Sequence, residues 1–135
     1  MMTPLRSETL PVRDASDIFL VRQFVRQCAA ELGFSVLDQT KLMTAASELG
    51  RNTLIHGGGG TMLLETFLKN DRRGLRLTFE DTGPGIPDIE QAMSDGFTTK
   101  DGLGLGLGGS KRLVNEFEIV SRVGEGTRVT ATQWT

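Results

Sequence analysis

Apolar residues at Ile18, Val21, Val25, Cys28 and Leu32 recur at steps of three and four, so residues 16–32 read as an amphipathic helix. Ser16 or Asp14 suits its start, and Gly33 suits the left-handed residue after its end. A second helix is predicted from about Val36 to Ile55. Ser35 and Asp38 form an S-x-x-D start signal, and Leu42, Ala45, Ala46 and Leu49 give it a buried face. The glycine run 57–60 stops it. Residues 61–69 read as a strand and 70–74 as a turn. In 75–81 the alternation is clean: Leu75, Leu77 and Phe79 on one face, Arg76, Thr78 and Glu80 on the other. A short edge strand is expected around Leu10 to Arg13. A short helix is expected over Asp88 to Met93, then a polar glycine-rich loop over 94–106. A further helix is predicted from about Gly108 to Phe117, with Leu113, Val114 and Phe117 inward. The chain closes in a hairpin, EIVSRV and TRVTATQW around a GEG turn. Helices interspersed with meander-like strands imply a two-layer α/β (α+β) sandwich. Its sheet is mixed, mostly antiparallel, and covered on one face by helices.

Composition narrows the function. The 135 residues suit a single domain, 1–135, large enough to form a core without disulfides. One cysteine excludes an internal disulfide framework and a Cys-rich zinc site, and one histidine argues against a His-based metal site. Cys28 lies on the apolar stripe of the first helix and reads as an inert core residue. Fifteen basic and 17 acidic side chains leave a net charge of -2, a poor match to phosphate neutralisation on nucleic acid. No apolar run is long enough to cross a membrane, and the N-terminal stretch lacks the apolar region of a secretory signal, so the expected location is cytoplasmic. The 17 glycines are what stands out, most of them at 57–60, 83–85, 102–109 and 124–126.

Four segments carry candidate chemistry. Glu48 and Asn52, four apart on the second helix, share a face that His56 continues. A solvated helix face is the plain reading of such a stripe. Asp81 ends a strand and begins D-T-G-P-G-I-P, where Gly83 and Gly85 would let a flat ligand approach the backbone. An ionised carboxylate only accepts hydrogen bonds, so it selects adenine's amino group over guanine's carbonyl. An ordinary Asp-led turn is the competing reading. Third, G-L-G-L-G-L-G-G-S-K-R-L at 102–113 precedes a predicted helix. Bare N–H groups of Gly102, Gly104 and Gly106 beside a helix start would suit phosphates. A dinucleotide fingerprint does not fit, because a loop and not a strand precedes it. A Walker A loop does not fit either, because Ser110 separates Gly109 from Lys111. Last, GEGT at 124–127 reads as hairpin glycines, with Thr127 placed to bring a hydroxyl to the same pocket.

E-x-x-x-N on a helix, D-x-G-x-G after a strand, G-x-G-x-G at a lid end and a closing G-x-G-T, in that order, resemble the GHKL ATPase superfamily with its Bergerat fold. The length leaves room for neither a transducer domain nor a helical phospho-acceptor domain, which points to the small anti-sigma-factor serine kinases. Segments 46–54, 80–99, 102–119 and 123–134 resemble the RsbT-type switch kinases among them. Gly108 stands where a proline is expected, and His56 is more like the anti-sigma-factor kinases.

The resemblance implies a protein serine/threonine kinase using ATP and Mg²⁺. Glu48 would be the general base and Asn52 the Mg²⁺ ligand. Asp81 would read adenine beside Gly83 and Gly85, Gly102, Gly104 and Gly106 would hold phosphates, and Thr127 would support the adenine end. It implies STAS-domain antagonist and scaffold partners in a stressosome-like assembly, and a PP2C-type phosphatase that the released kinase activates. Two alternatives stay open: a kinase that binds a sigma factor directly, and a nucleotide-gated module without phosphotransfer. Lys100, Lys111 and Arg112 are either cationic helpers or solvated surface charges.

Overall fold

A computed structural model describes residues 4–94 and 106–135. The elements run β1 (Arg6–Val12), α1 (Ala15–Leu32), α2 (Val36–Ile55), β2 (Gly60–Lys69), β3 (Arg72–Asp81), α3 (Ile89–Met93), α4 (Gly106–Lys111), β4 (Glu116–Arg122) and β5 (Gly126–Trp134). The strands form one sheet in the order β1-β2-β3-β5-β4, and every pairing is antiparallel. The expected two-layer sandwich is therefore present, with β1 and β4 as its edge strands.

Both long helices start on side-chain caps. Asp14, not Ser16, caps α1: its carboxylate accepts the N–H of Asp17, while the Ser16 hydroxyl donates to the same carboxylate oxygen. Ser35 caps α2 by accepting the N–H of Asp38. Gly33 ends α1 at φ 88°, in the left-handed region that glycine enters without a steric cost.

The core lies between the helix pair and one face of the sheet. Val21, Val25 and Cys28 of α1 and Leu42, Ala46 and Leu49 of α2 meet Met62, Leu64, Leu75, Leu77, Phe79, Val129 and Ala131. Burial pushes the Cys28 thiol pKa up, so the neutral form persists, as an inert core cysteine requires.

Three elements differ from their sequence expectation. β1 is longer than Leu10 to Arg13, because its full ladder with β2 starts at Arg6↔Thr66. β3 begins at Arg72, because Asn70 and Asp71 alone make the turn, both at positive φ (51° and 66°), as a two-residue hairpin turn of mirror-image type requires. The helix expected from Gly108 to Phe117 is the short α4, and Phe117 belongs to β4. There Phe117 and Ile119 point to the core by alternation instead of by helical spacing. Among the described residues, no helix is long and apolar enough to cross a membrane.

Candidate functional site

A cavity of about 390 Å³ opens where the C-terminal half of α2 overlies the sheet beside Asp81. Leu49, Phe79, Ile86, Ala92, Leu107 and Val129 give it apolar walls. Asn52, His56, Asp81, Asp88, Gln91 and Thr127 add polar groups. A mostly apolar cleft with a few fixed polar groups is the ordinary form of a small-molecule site.

The strand registers explain why Asp81 and Thr127 meet. They are paired across β3 and β5, and alternation turns both to the helix side. One Asp81 oxygen, Oδ1, accepts the Gly83 N–H at 2.9 Å, which fixes the carboxylate. The Thr127 hydroxyl is 2.8 Å from that of Ser121. Ser121 also accepts the N–H of Ile86 at 2.7 Å, and the N–H of Gly124 donates to the Pro84 carbonyl at 2.8 Å. The 82–87 loop is thus fastened to the β4–β5 hairpin. Gly85, at φ 79°, lies against the Arg122 carbonyl, where a β-carbon would come within 2.3 Å.

Asn52 is set into the cavity by the last turns of α2. Its buried Nδ2 has no hydrogen-bond partner among the described residues. An orphaned buried amide costs about 1–3 kcal/mol, which a polar ligand arriving there offsets. Turning the amide by half a revolution presents Oδ1 to the same place.

The cavity brings together Asn52, Asp81, Gly85, Gly106 and Thr127 from the sequence-derived set. Gly83 stands behind Asp81 as its backbone donor. Glu48 lies one helical turn before Asn52, half-buried, and is not among the lining residues. Asn52 and His56 both line the cavity, Asn52 half-buried and His56 exposed at its mouth. Gly102 and Gly104 lie outside the described residues, as does Lys100. Sequence reasoning missed Gly57, Pro84, Ile86, Gln91 and Leu107 as lining residues. The Gly57 signal was its place directly after His56 at the head of the glycine run, which reads in the sequence only as a helix stop.

The residues fit ATP and Mg²⁺. Asp81 keeps a second carboxylate oxygen besides the one Gly83 holds, the walls suit a purine, and Asn52 carries an unsatisfied amide. Among the described residues no cluster of His, Cys, Asp or Glu forms a metal cage. A site with one neutral oxygen suits Mg²⁺, which keeps several waters and takes its remaining ligands from phosphates.

A family model described as histidine kinase-, DNA gyrase B-, and HSP90-like ATPase matches residues 37–134. The chain is 48% identical over 118 residues to the serine/threonine-protein kinase RsbT of Bacillus subtilis, covering 87% of this chain and 89% of that one. It is 33% identical over 121 residues to an anti-sigma F factor of a Thermoanaerobacter species, covering 84% and 82%. The crystal structure of the RsbU and RsbW domains of a Mycobacterium tuberculosis protein superposes with a TM-score of 0.65 at 23% identity. That likeness covers 97% of this chain and 33% of the other, and it shows the fold.

Proposed function

Because the chain belongs to the histidine kinase-, DNA gyrase B- and HSP90-like ATPase family and is a serine/threonine-protein kinase of the RsbT kind, we propose that it is the switch kinase of a bacterial partner-switching module. The observation that carries the site is the meeting of Asn52, Asp81 and Thr127 in one largely apolar cavity. When bound, ATP with Mg²⁺ supplies the phosphoryl group.

In this reading each residue has its own task. Asp81 accepts a hydrogen bond from the adenine amino group, and Thr127 supports the same end. Asn52 offers its carbonyl oxygen to the cation. Gly102, Gly104 and Gly106 offer N–H groups to phosphates. Glu48 takes the proton of the incoming serine or threonine hydroxyl, and its place away from the cavity walls suits a group that meets the protein substrate and not the nucleotide. Such a base contributes roughly 10²–10⁴-fold. The rest of the rate comes from positioning and charge neutralisation.

The proposed partners are STAS-domain antagonist and scaffold proteins, with a PP2C-type phosphatase as the target of the released kinase. The proposed setting is the cytoplasm, with residues 1–135 acting as one kinase domain. Glu48→Gln decides the catalytic assignment. ATP affinity by calorimetry should stay within a few-fold, while transfer to a STAS-domain substrate falls by about 10²–10⁴. Full transfer activity in this variant would remove Glu48 from its role. Asn52→Ala should weaken Mg²⁺-dependent ATP binding and transfer together.

The identity to an anti-sigma F factor favours a second reading, in which the kinase holds a sigma factor directly. Co-purification of a sigma factor, and not of a phosphatase, from cells expressing a tagged chain would select it.

A further inference from the structure

Gly57 lies 24 residues before Asp81 in the chain yet touches it. A β-carbon on Gly57 would stand 2.3 Å from Asp81 Cγ, 2.4 Å from Oδ2 and 2.5 Å from Cβ. Asp81 has little freedom to yield. Its Oδ1 is held by Gly83. Its backbone is paired to Gly60 on one side and Thr127 on the other. Gly83 in turn rests on Gly57, where its own β-carbon would come within 2.7 Å of the Gly57 Cα. Gly57 is itself tied to the end of α2, its N–H donating to the Thr53 carbonyl at 3.1 Å.

Unlike Gly58 and Gly59, Gly57 has an ordinary backbone conformation that alanine adopts without strain. Glycine is needed there for the space that Asp81 occupies. Because the Asp81 β-carbon is itself only 2.5 Å away, a methyl group on Gly57 displaces the Asp81 side chain as a whole from the position it now holds.

We propose that Gly57 is a positioning residue that sets the Asp81 carboxylate for reading the 6-amino group of adenine, so that the end of α2 and the end of β3 form one specificity device. This rests on the reading of Asp81 given above. Gly57→Ala should therefore damage discrimination at the 6-position more than nucleotide binding in general.

The test compares the affinities of ATP and of purine riboside triphosphate, which lacks the 6-amino group, by calorimetry with Mg²⁺. The wild type should prefer ATP by roughly 10-fold or more, as one charge-assisted hydrogen bond implies. In Gly57→Ala the ratio should fall to near one while the affinity for the analogue changes by only a few-fold. Gly50→Ala, whose added methyl group meets neighbours at 3.5–3.7 Å, serves as the control and should keep the wild-type ratio. A wild type without preference would overturn the Asp81 reading, and the role of Gly57 with it. A wild-type preference that Gly57→Ala retains would overturn the positioning role alone. A melting experiment covers the case in which Gly57→Ala folds poorly. Removing the whole side chain in Asp81→Gly, the β-carbon included, should abolish the penalty, so that the double variant melts with Asp81→Gly itself. An equal drop from Gly57→Ala in both backgrounds would show that the glycine does not act through Asp81.

Discussion

The two ends of the sheet are closed by opposite means. At the Asp81 end, strands meet because side chains are missing. A β-carbon on Gly60 would lie 2.0 Å from the Glu80 carbonyl oxygen, and one on Gly126 would lie 2.1 Å from that of Asp81. At the other end, the gap over Gly74 is filled by the Trp134 ring, 2.5 Å from where a β-carbon would stand. That indole donates through Nε1 to Glu116, and Arg72 lies over the ring at 5.9 Å. Asn115 closes the corner, accepting the Trp134 N–H through Oδ1 and donating its own N–H to Gln133, both at 2.8 Å. One end leaves room for a ligand and tolerates no added atom at Gly60 or Gly126. The other is packed by side chains that tolerate partial truncation.

Gly126→Ala should break the contrast most sharply. It meets the Asp81 carbonyl and carries φ 122°, a region almost reserved for glycine. Strain and displacement together should cost about 3 kcal/mol or more, read as a lowered urea midpoint with loss of ATP binding. Trp134→Ala should cost less, about 2 kcal/mol, because the ring is half-buried and fully buried tryptophans lose about 3–5. ATP binding should survive it, since the indole lies at the far end of β5. A larger loss for Trp134→Ala than for Gly126→Ala would refute the division of labour.

Gly50→Ala sharpens the contrast from the other side. This glycine sits inside α2, and its β-carbon would make ordinary contacts with Ile18 and Phe79. It should stabilise the chain by about 0.5–1 kcal/mol, seen as a rise in melting temperature.

The smallest effect concerns pH. The Ser16 hydroxyl, and after it the Asp17 N–H, hold the Asp14 carboxyl below its ordinary value of 3.8. A carboxyl depressed on folding adds stability above its unfolded value and loses it as pH falls through the folded one. The melting curves of wild type and Asp14→Ala should differ at neutral pH and converge well below 3.8.

What was legible in the sequence follows from how far each signal reaches. Caps, helical stripes and the alternation of 75–81 are local, and α1, α2 and the core face of β3 were found nearly whole. Leu113, Val114 and Phe117 have a spacing that serves a helix as well as a turn entering a strand. The choice was made by distant partners: Asn115 on Trp134 and Gln133, and Phe117 opposite Ala131. The site residues Asn52, Asp81 and Thr127 were named from motifs, and the fold brings them to one cavity. Gly57 was not named, because the contact that gives it meaning joins the end of α2 to the end of β3. No window of local sequence contains both.

The edge strands have a consequence beyond the site. Each leaves a row of backbone donors and acceptors that another chain's strand could extend into a growing ladder. On β4, Glu116, Glu118 and Arg122 flank Val120 on the outward face, and these charges would have to be desolvated beside any incoming strand. On β1, Pro11 lacks an N–H to offer, and Arg6 and Glu8 add charge to the same short edge. The pattern that marks these strands as half-solvated also guards the chain against self-templated aggregation, so it can hold an open sheet without a partner to seal it.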